Sequence, residues 1–283
     1  MKEKTFYKTL VSFNLDPNKI KTILKDKRLT ATEKLILEAH MELRNNQNNK
    51  AIALLEKIPP SDLLFVESQR LLILGCASNN LSYFKKAEDY LLQSAKILKE
   101  MKINDFLFSA YSSLFWIYAN LNEVSKMKNM LDELVAMPQD IEVHKIRLLS
   151  CQFCYYQMAG EDKQAHKILN KLEAVKSSIV EKDIIAYLID KFMFYVHIEN
   201  FDKCYETLAD MKNYRKFHLS ENYNYMKKLL DHLTKDVPLY AYIEEFEAAP
   251  LLFHQIKVIQ ALEERRPDIA HYHWDWLRAT SEL

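Results

Sequence analysis

The chain has 283 residues, 49% of them hydrophobic, with 39 basic and 39 acidic side chains. That length and apolar content allow a large buried core, and the balanced charge offers no bulk field to attract nucleic acid. Its only glycines are Gly75 and Gly160, where average usage of about 7% would give roughly twenty, so a β-rich or α/β fold dependent on glycine turns is excluded and an all-α chain is expected.

Residues 1–30 read as a basic segment of one or two short helices, broken at Asp16-Pro17. Lys2, Lys4, Lys8, Lys19, Lys21, Lys25, Lys27 and Arg28 face only Glu3, Asp16 and Asp26 in charge. Such a run reads as a solvated helix face, with a docking patch for an acidic partner as the alternative. Lys8 interrupts the short apolar run near the start, and no window approaches 18 apolar residues. Neither secretion nor a membrane span is expected, and the cytoplasm is the expected compartment.

Residues 31–218 read as paired helices: 31–45 with 48–57, 62–79 with 83–100, 105–120 with 123–136, 140–159 with 162–176, and 179–198 with 201–214. The second helix of each pair carries an apolar stripe: Ala51, Leu55, Ile58; Ala87, Leu91, Ser94, Leu98; Met127, Leu131, Leu134; Ala165, Leu169, Leu172; Cys204, Leu208, Met211. The first members lie 36, 40, 38 and 39 positions apart, and self-similarity at such a period signals stacked helix pairs. Pro59, Pro60 and Pro138 fall between periodic stretches, as helix boundaries should. Residues 219–283 are more divergent: a helix near 219–234, a break at Asp236-Val237-Pro238, a short segment 239–248, then a pair at 250–264 and 267–280 that closes the array.

This pattern resembles the tetratricopeptide repeat (TPR) family, in divergent form with stretched repeats. The second repeat carries the likeness best, through Leu71, Leu74-Gly75, Phe84, Ala87, Leu91 and Ser94. The third offers Tyr111, Leu114, Tyr118, Leu131 and Pro138, the fourth Leu149, Tyr156, Gly160, Ala165 and Leu169, the fifth Leu188, Tyr195, Phe201 and Leu208. Phe115, Phe153 and Phe192 depart from it, standing where the family places a small side chain. The resemblance implies an α-solenoid of antiparallel helix pairs in a right-handed superhelix, whose first helices line a concave groove. Its groove positions fall on Gln69, Leu72, Asn79 and Asn80; Ser112, Trp116 and Asn120; Arg147, Ser150, Cys154 and Gln157; and Ile189, Met193 and His197. Amides can pair with a peptide backbone and Trp116 can anchor an apolar side chain. The family's subclass that grips a chaperone tail needs Lys and Asn at two positions of one repeat. Here those pairs read Ile36 and His40, Leu72 and Cys76, Ser112 and Trp116, Ser150 and Cys154, Ile189 and Met193, so tail capture is not expected.

Signs of chemistry are sparse. Two isolated glycines cannot build a phosphate loop, and H-E-x-x-H, G-x-S-x-G and EF-hand patterns do not occur. Cys151 and Cys154 form a C-x-x-C, but no second ligand pair follows at usable spacing, and residues three apart on a helix share a face. They read as core or groove-lining thiols. Glu244, Glu245 and Glu247 read as a solvated face, and His271 and His273, two apart, point to different faces of a helix. No cofactor, metal or catalytic residue is expected.

In the last helix, Ala270, Trp274 and Leu277 form one apolar stripe, while Ile269, His273 and Trp276 form a second. The second covers a neighbouring helix or, alternatively, makes His273 and Trp276 an interface for a partner or a homodimer. The expected function is a non-enzymatic adaptor or scaffold that holds a peptide or protein segment in its groove. The alternatives are a peptide-sensing bacterial regulator and, further off, an RNA-binding helical repeat; abundant Lys, Asn and Ile fit an AT-rich bacterial genome.

Overall fold

The computed structural model describes residues 2–15, 20–138, 141–179, 181–214 and 221–235. Among these residues every regular element is helical and there is no strand. The chain divides into two compact units, Met1–Met158 and Ala159–Leu283. The first holds α1 (Lys2–Leu15), α2 (Ile20–Ile23), α3 (Ala31–Arg44), α4 (Asn48–Leu55), α5 (Leu64–Asn80), α6 (Phe84–Glu100), α7 (Asn104–Asn120), α8 (Val124–Ala136) and α9 (Glu142–Met158). The second holds α10 (Asp162–Ala174), a 3-10 turn at Lys176–Ser178, α11 (Glu181–His197), α12 (Phe201–Met211) and α13 (Glu221–Lys235). Helices expected over 31–214 match these bounds to within three residues; those expected at 239–248, 250–264 and 267–280 lie outside the described residues.

Each apolar stripe read from the sequence is buried. Ala51, Ala87, Met127, Ala165 and Cys204 have no exposed surface, and Leu55, Leu91, Leu131, Leu169 and Leu208 are buried one turn later. In the first unit α3 to α9 pack consecutively, and α3, α5, α7 and α9 also touch one another in that order. α5 and α7 are buried on nearly every side, as helices with neighbours all round must be. α1 adds Phe6 and Leu10 to the same core, and Phe6, Tyr7, Phe65 and Phe106 meet edge-to-face at 5.6–6.1 Å. α3 starts with a capping box: Thr30 Oγ1 accepts from Glu33 N at 3.2 Å, and the Glu33 carboxylate accepts from Thr30 N at 2.7 Å.

A repeated turn joins these helices. Asn46, Ser82, Asn122, Gly160 and Glu199 all have positive φ, between 55° and 70°. Each lies five positions before the first residue of a stripe, so the turns repeat at the stripes' own spacing. At Asn46, Ser82, Asn122 and Glu199 the next amide donates to a carbonyl five residues back: Gln47 to Glu42 at 2.8 Å, Tyr83 to Ser78 at 2.9 Å, Glu123 to Tyr118 at 2.8 Å and Asn200 to Tyr195 at 2.8 Å. These are Schellman turns, which satisfy carbonyls that a helix end leaves open. Lys102, between α6 and α7, is a further instance, with Ile103 N donating to Leu98 O at 3.0 Å. The chain thus turns with few glycines because residues with side chains accept the left-handed conformation.

Gly75 has the opposite role. A Cβ there would stand 2.5 Å from Leu91 Cγ and 3.3 Å from the Ala87 carbonyl oxygen, so the missing side chain sets how closely α5 and α6 approach. In the same interface Ser94 Oγ donates to Ser68 O at 2.8 Å. Phe115, Phe153 and Phe192, the bulky counterparts of Gly75, are fully or almost fully buried.

Gly75→Ala should therefore destabilise the first unit by ~1–3 kcal/mol through overpacking against Leu91. Glu199→Gly should stabilise by roughly 0.5–1 kcal/mol, because the relief of a left-handed side chain exceeds the added chain entropy. Urea unfolding of each variant against wild type measures both, and a stabilised Gly75→Ala protein would contradict the close approach.

Candidate functional site

The sequence-predicted residues of the first unit lie on α5, α7 and α9 of the row α3, α5, α7, α9, and their exposure differs. Trp116 is half-buried, edge-on to Phe115 at 5.5 Å. Arg147, Ser150, Cys154 and Gln157 on α9 are half-buried, with Ser150 Oγ donating to Ile146 O at 3.2 Å. Asn120 is exposed, and Asn80, also exposed, donates to Asn48 Oδ1 at 3.0 Å. Asn79 is half-buried with Oδ1 enclosed and unpaired.

Gln69 and Ser112 are instead inside, 1% and 3% exposed. Gln69 lies four residues from both Phe65 and Ile73, which are buried, so it shares their side of α5. Its Nε2 has no hydrogen-bond partner among the described residues, while Ser112 Oγ donates to Ser109 O at 3.0 Å. His197, on α11 of the second unit, is exposed with Nε2 3.3 Å from Asp162 Oδ1. His273 and Trp276 lie outside the described residues.

Sequence reasoning missed the charge on this face. Arg147 makes no ion pair or hydrogen bond among the described residues. Its charge nevertheless acts on groups of three helices: Arg44 on α3, Cys76 on α5, and His144 and Cys151 on α9. Burial, then the Arg147 charge, pulls the Arg44 guanidinium below its ordinary value. Burial, then the Arg44 charge, takes His40 down to about 4. His144, stacked on Phe108 at 4.1 Å, is lowered by burial and by Arg147 against an opposing pull from Asp105. Both histidines are neutral at pH 7, so the positive charge of the face belongs to the arginines. Burial also raises the Cys76 thiol, which sits 3.5 Å from Ser113 Oγ, and the Cys151 thiol. A signal for Arg44 did exist: it precedes Asn80, Asn120 and His197 at the repeat spacing.

Two other polar features stand apart. In the first unit a cleft of about 510 Å³ is lined by Tyr7, Phe65, Met101, Lys102, Ile103, Asn104 and Asp105, and Tyr7 Oη donates to Asp105 Oδ2 at 3.2 Å across it. In the second unit burial works to raise the Glu173 carboxyl, but Lys191 at 2.9 Å and the Tyr187 hydroxyl outweigh it and hold it low. Lys176 bridges Asp210 at 2.8 Å and Glu173 at 3.7 Å. Asp190 on α11 retains some exposed surface, yet burial pushes its carboxyl up to about 7.

Among the described residues no three side chains gather to hold a metal ion, Cys76, Cys151, Cys154 and Cys204 are not joined in disulfides, and no helix is long and apolar enough to cross a membrane. No family model matches the chain, and comparison with curated proteins and with solved structures yields no match.

The raised Asp190 carboxyl gives a pH signature. The folded state holds a proton there that the unfolded chain has released between pH ~4 and ~7, so this group makes stability fall as pH rises through that window. Asp190→Asn should remove that slope and stabilise the protein at pH 8 by ~1–3 kcal/mol. Thermal unfolding of both proteins between pH 4 and 8 checks it; parallel profiles would place the Asp190 carboxyl in water.

Proposed function

We propose that the protein is a non-enzymatic interaction module, a TPR-like solenoid of antiparallel helix pairs that holds a peptide or protein segment along the face of α3, α5, α7 and α9. The observation that carries this reading is the composition of that face: Trp116 and Cys154 as half-buried apolar groups, Asn79, Asn120 and Gln157 as amides, and Arg147 without a counter-charge. An extended segment needs that mixture, apolar contacts for its side chains and donors and acceptors for its backbone. Two features support the repeat architecture. Turn and stripe recur together at one spacing, and the pairing of Gly75 with Leu91 and Ser68 with Ser94 suits neighbours that run in opposite directions. Cysteines not joined in disulfides suit a reducing compartment such as the cytoplasm.

Panning a displayed peptide library on the full chain tests the reading. Selected peptides should bind wild type and lose ~1–4 kcal/mol on Trp116→Ala if Trp116 is an anchor, with the helical circular dichroism spectrum unchanged. Peptides that bind the Trp116→Ala protein as well as wild type would move the site off this face, with the Tyr7–Asp105 cleft the next place to look.

A further inference from the structure

We propose that the cleft between α1 and the start of α7 is a small-molecule site that takes a primary ammonium group carried on an apolar body, with the ammonium on the Asp105 carboxylate. The site holds whether or not α3, α5, α7 and α9 form a binding face.

Four helices build the cleft. α1 contributes Tyr7, the first turn of α5 Phe65, the end of α6 and its following turn Met101, Lys102 and Ile103, and the first turn of α7 Asp105. Its volume of about 510 Å³ falls within the ~300–1,000 Å³ of small-molecule pockets, far more than an ammonium alone fills. Much of the lining is apolar: Phe65 is 1% exposed, and Met101 and Ile103 are half-buried. Met101 is unbranched and polarizable, so it adapts to the shape of an apolar body.

One carboxylate lines this space without a counter-ion. Asp105 is half-buried and accepts from Tyr7 Oη at 3.2 Å, and among the described residues its side chain has no other donor and no ion pair. A phenol is a neutral donor, and an ionised carboxylate offers about four lone-pair sites, so most of that capacity stays open. Burial and the Asp105 charge both hold the Tyr7 phenol protonated. Two bases near Asp105 do not neutralise it. Lys102 lines the same cleft three residues earlier, yet the two form no ion pair. His144, which the Asp105 charge reaches, is kept neutral at pH 7 by burial and by Arg147.

An ammonium group answers Asp105 on two counts. Its three N–H donors fill open lone pairs, and the faces of aromatic rings such as Tyr7 and Phe65 attract a cation. These rings are held in place, Tyr7 meeting Phe65 at 5.6 Å and Phe106 at 6.1 Å edge-to-face, so a ligand loses little in ordering the site. A ligand with only a negative charge would instead meet Asp105 as a like charge. The ammonium can come from a simple amine or from an apolar amino acid, whose carboxylate would then reach Lys102, which is exposed.

Saturation-transfer NMR titrations on the full chain test this with 2-phenylethylamine, L-phenylalanine, 2-phenylethanol and 3-phenylpropionate. The amine should bind roughly tenfold or more tighter than the alcohol, and Asp105→Asn should abolish that advantage while leaving the alcohol's affinity unchanged. Unchanged alcohol binding also shows that the variant keeps its cleft. L-phenylalanine binding tighter than the amine, with the gain lost in Lys102→Ala, assigns an amino acid; equal or weaker binding assigns a simple amine. Three results would overturn the proposal: 3-phenylpropionate binding as tightly as the amine, amine affinity unmoved by Asp105→Asn, or neither the amine nor L-phenylalanine binding at millimolar concentration. The comparison of amine with alcohol in the wild-type chain decides the question even if Asp105→Asn fails to fold.

Discussion

The helical array depends on one backbone device, a left-handed residue followed by an amide that reaches back five residues to the end of the preceding helix. It closes the helix, satisfies a carbonyl that would otherwise need water, and sets the angle at which the next helix departs. Because the left-handed residue inside each helix pair precedes the first stripe residue by five positions, the turn also fixes which side of the second helix faces the core. Burial of Ala51, Ala87, Met127, Ala165 and Cys204 follows from that fixed offset. A local conformational choice thus becomes a packing arrangement without any long-range signal.

The same logic explains how much was legible in the sequence. The stripes were readable because burial of a helix face needs only apolar residues at helical spacing, and Leu55, Leu91, Leu131, Leu169 and Leu208 supply them without competition. The turns were not. Left-handed conformation is normally announced by glycine, and here Asn46, Ser82, Asn122 and Glu199 adopt it instead. Asn46 and Asn122 are of a type that tolerates it, while at Ser82 and Glu199 only position marks the turn.

Three of the residues expected in the groove lie inside instead. Gln69, Leu72 and Ser112 are buried because α5 and α7 are flanked on so many sides that only a narrow strip of each remains open. Arg147, Ser150 and Gln157 on α9 stay half-exposed. Arg44 escaped notice because a single arginine at a helix end looks like an ordinary favourable charge at the C-terminus, yet burial and the Arg147 charge both lower its guanidinium.

Constancy of the turn-to-stripe offset also bears on how such a chain can change length. The repeats differ in size, yet none of that variation falls between the left-handed residue and the stripe; all of it lies between one stripe and the following turn. One residue inserted inside the offset would rotate every later position of that helix by about 100°, burying polar groups and exposing Leu91 or its counterparts. Inserted beyond the stripe, the same residue only lengthens a helix end or a link. Insertions and deletions among descendants of this gene should therefore cluster in the links that follow the second helices, and the offset should remain five.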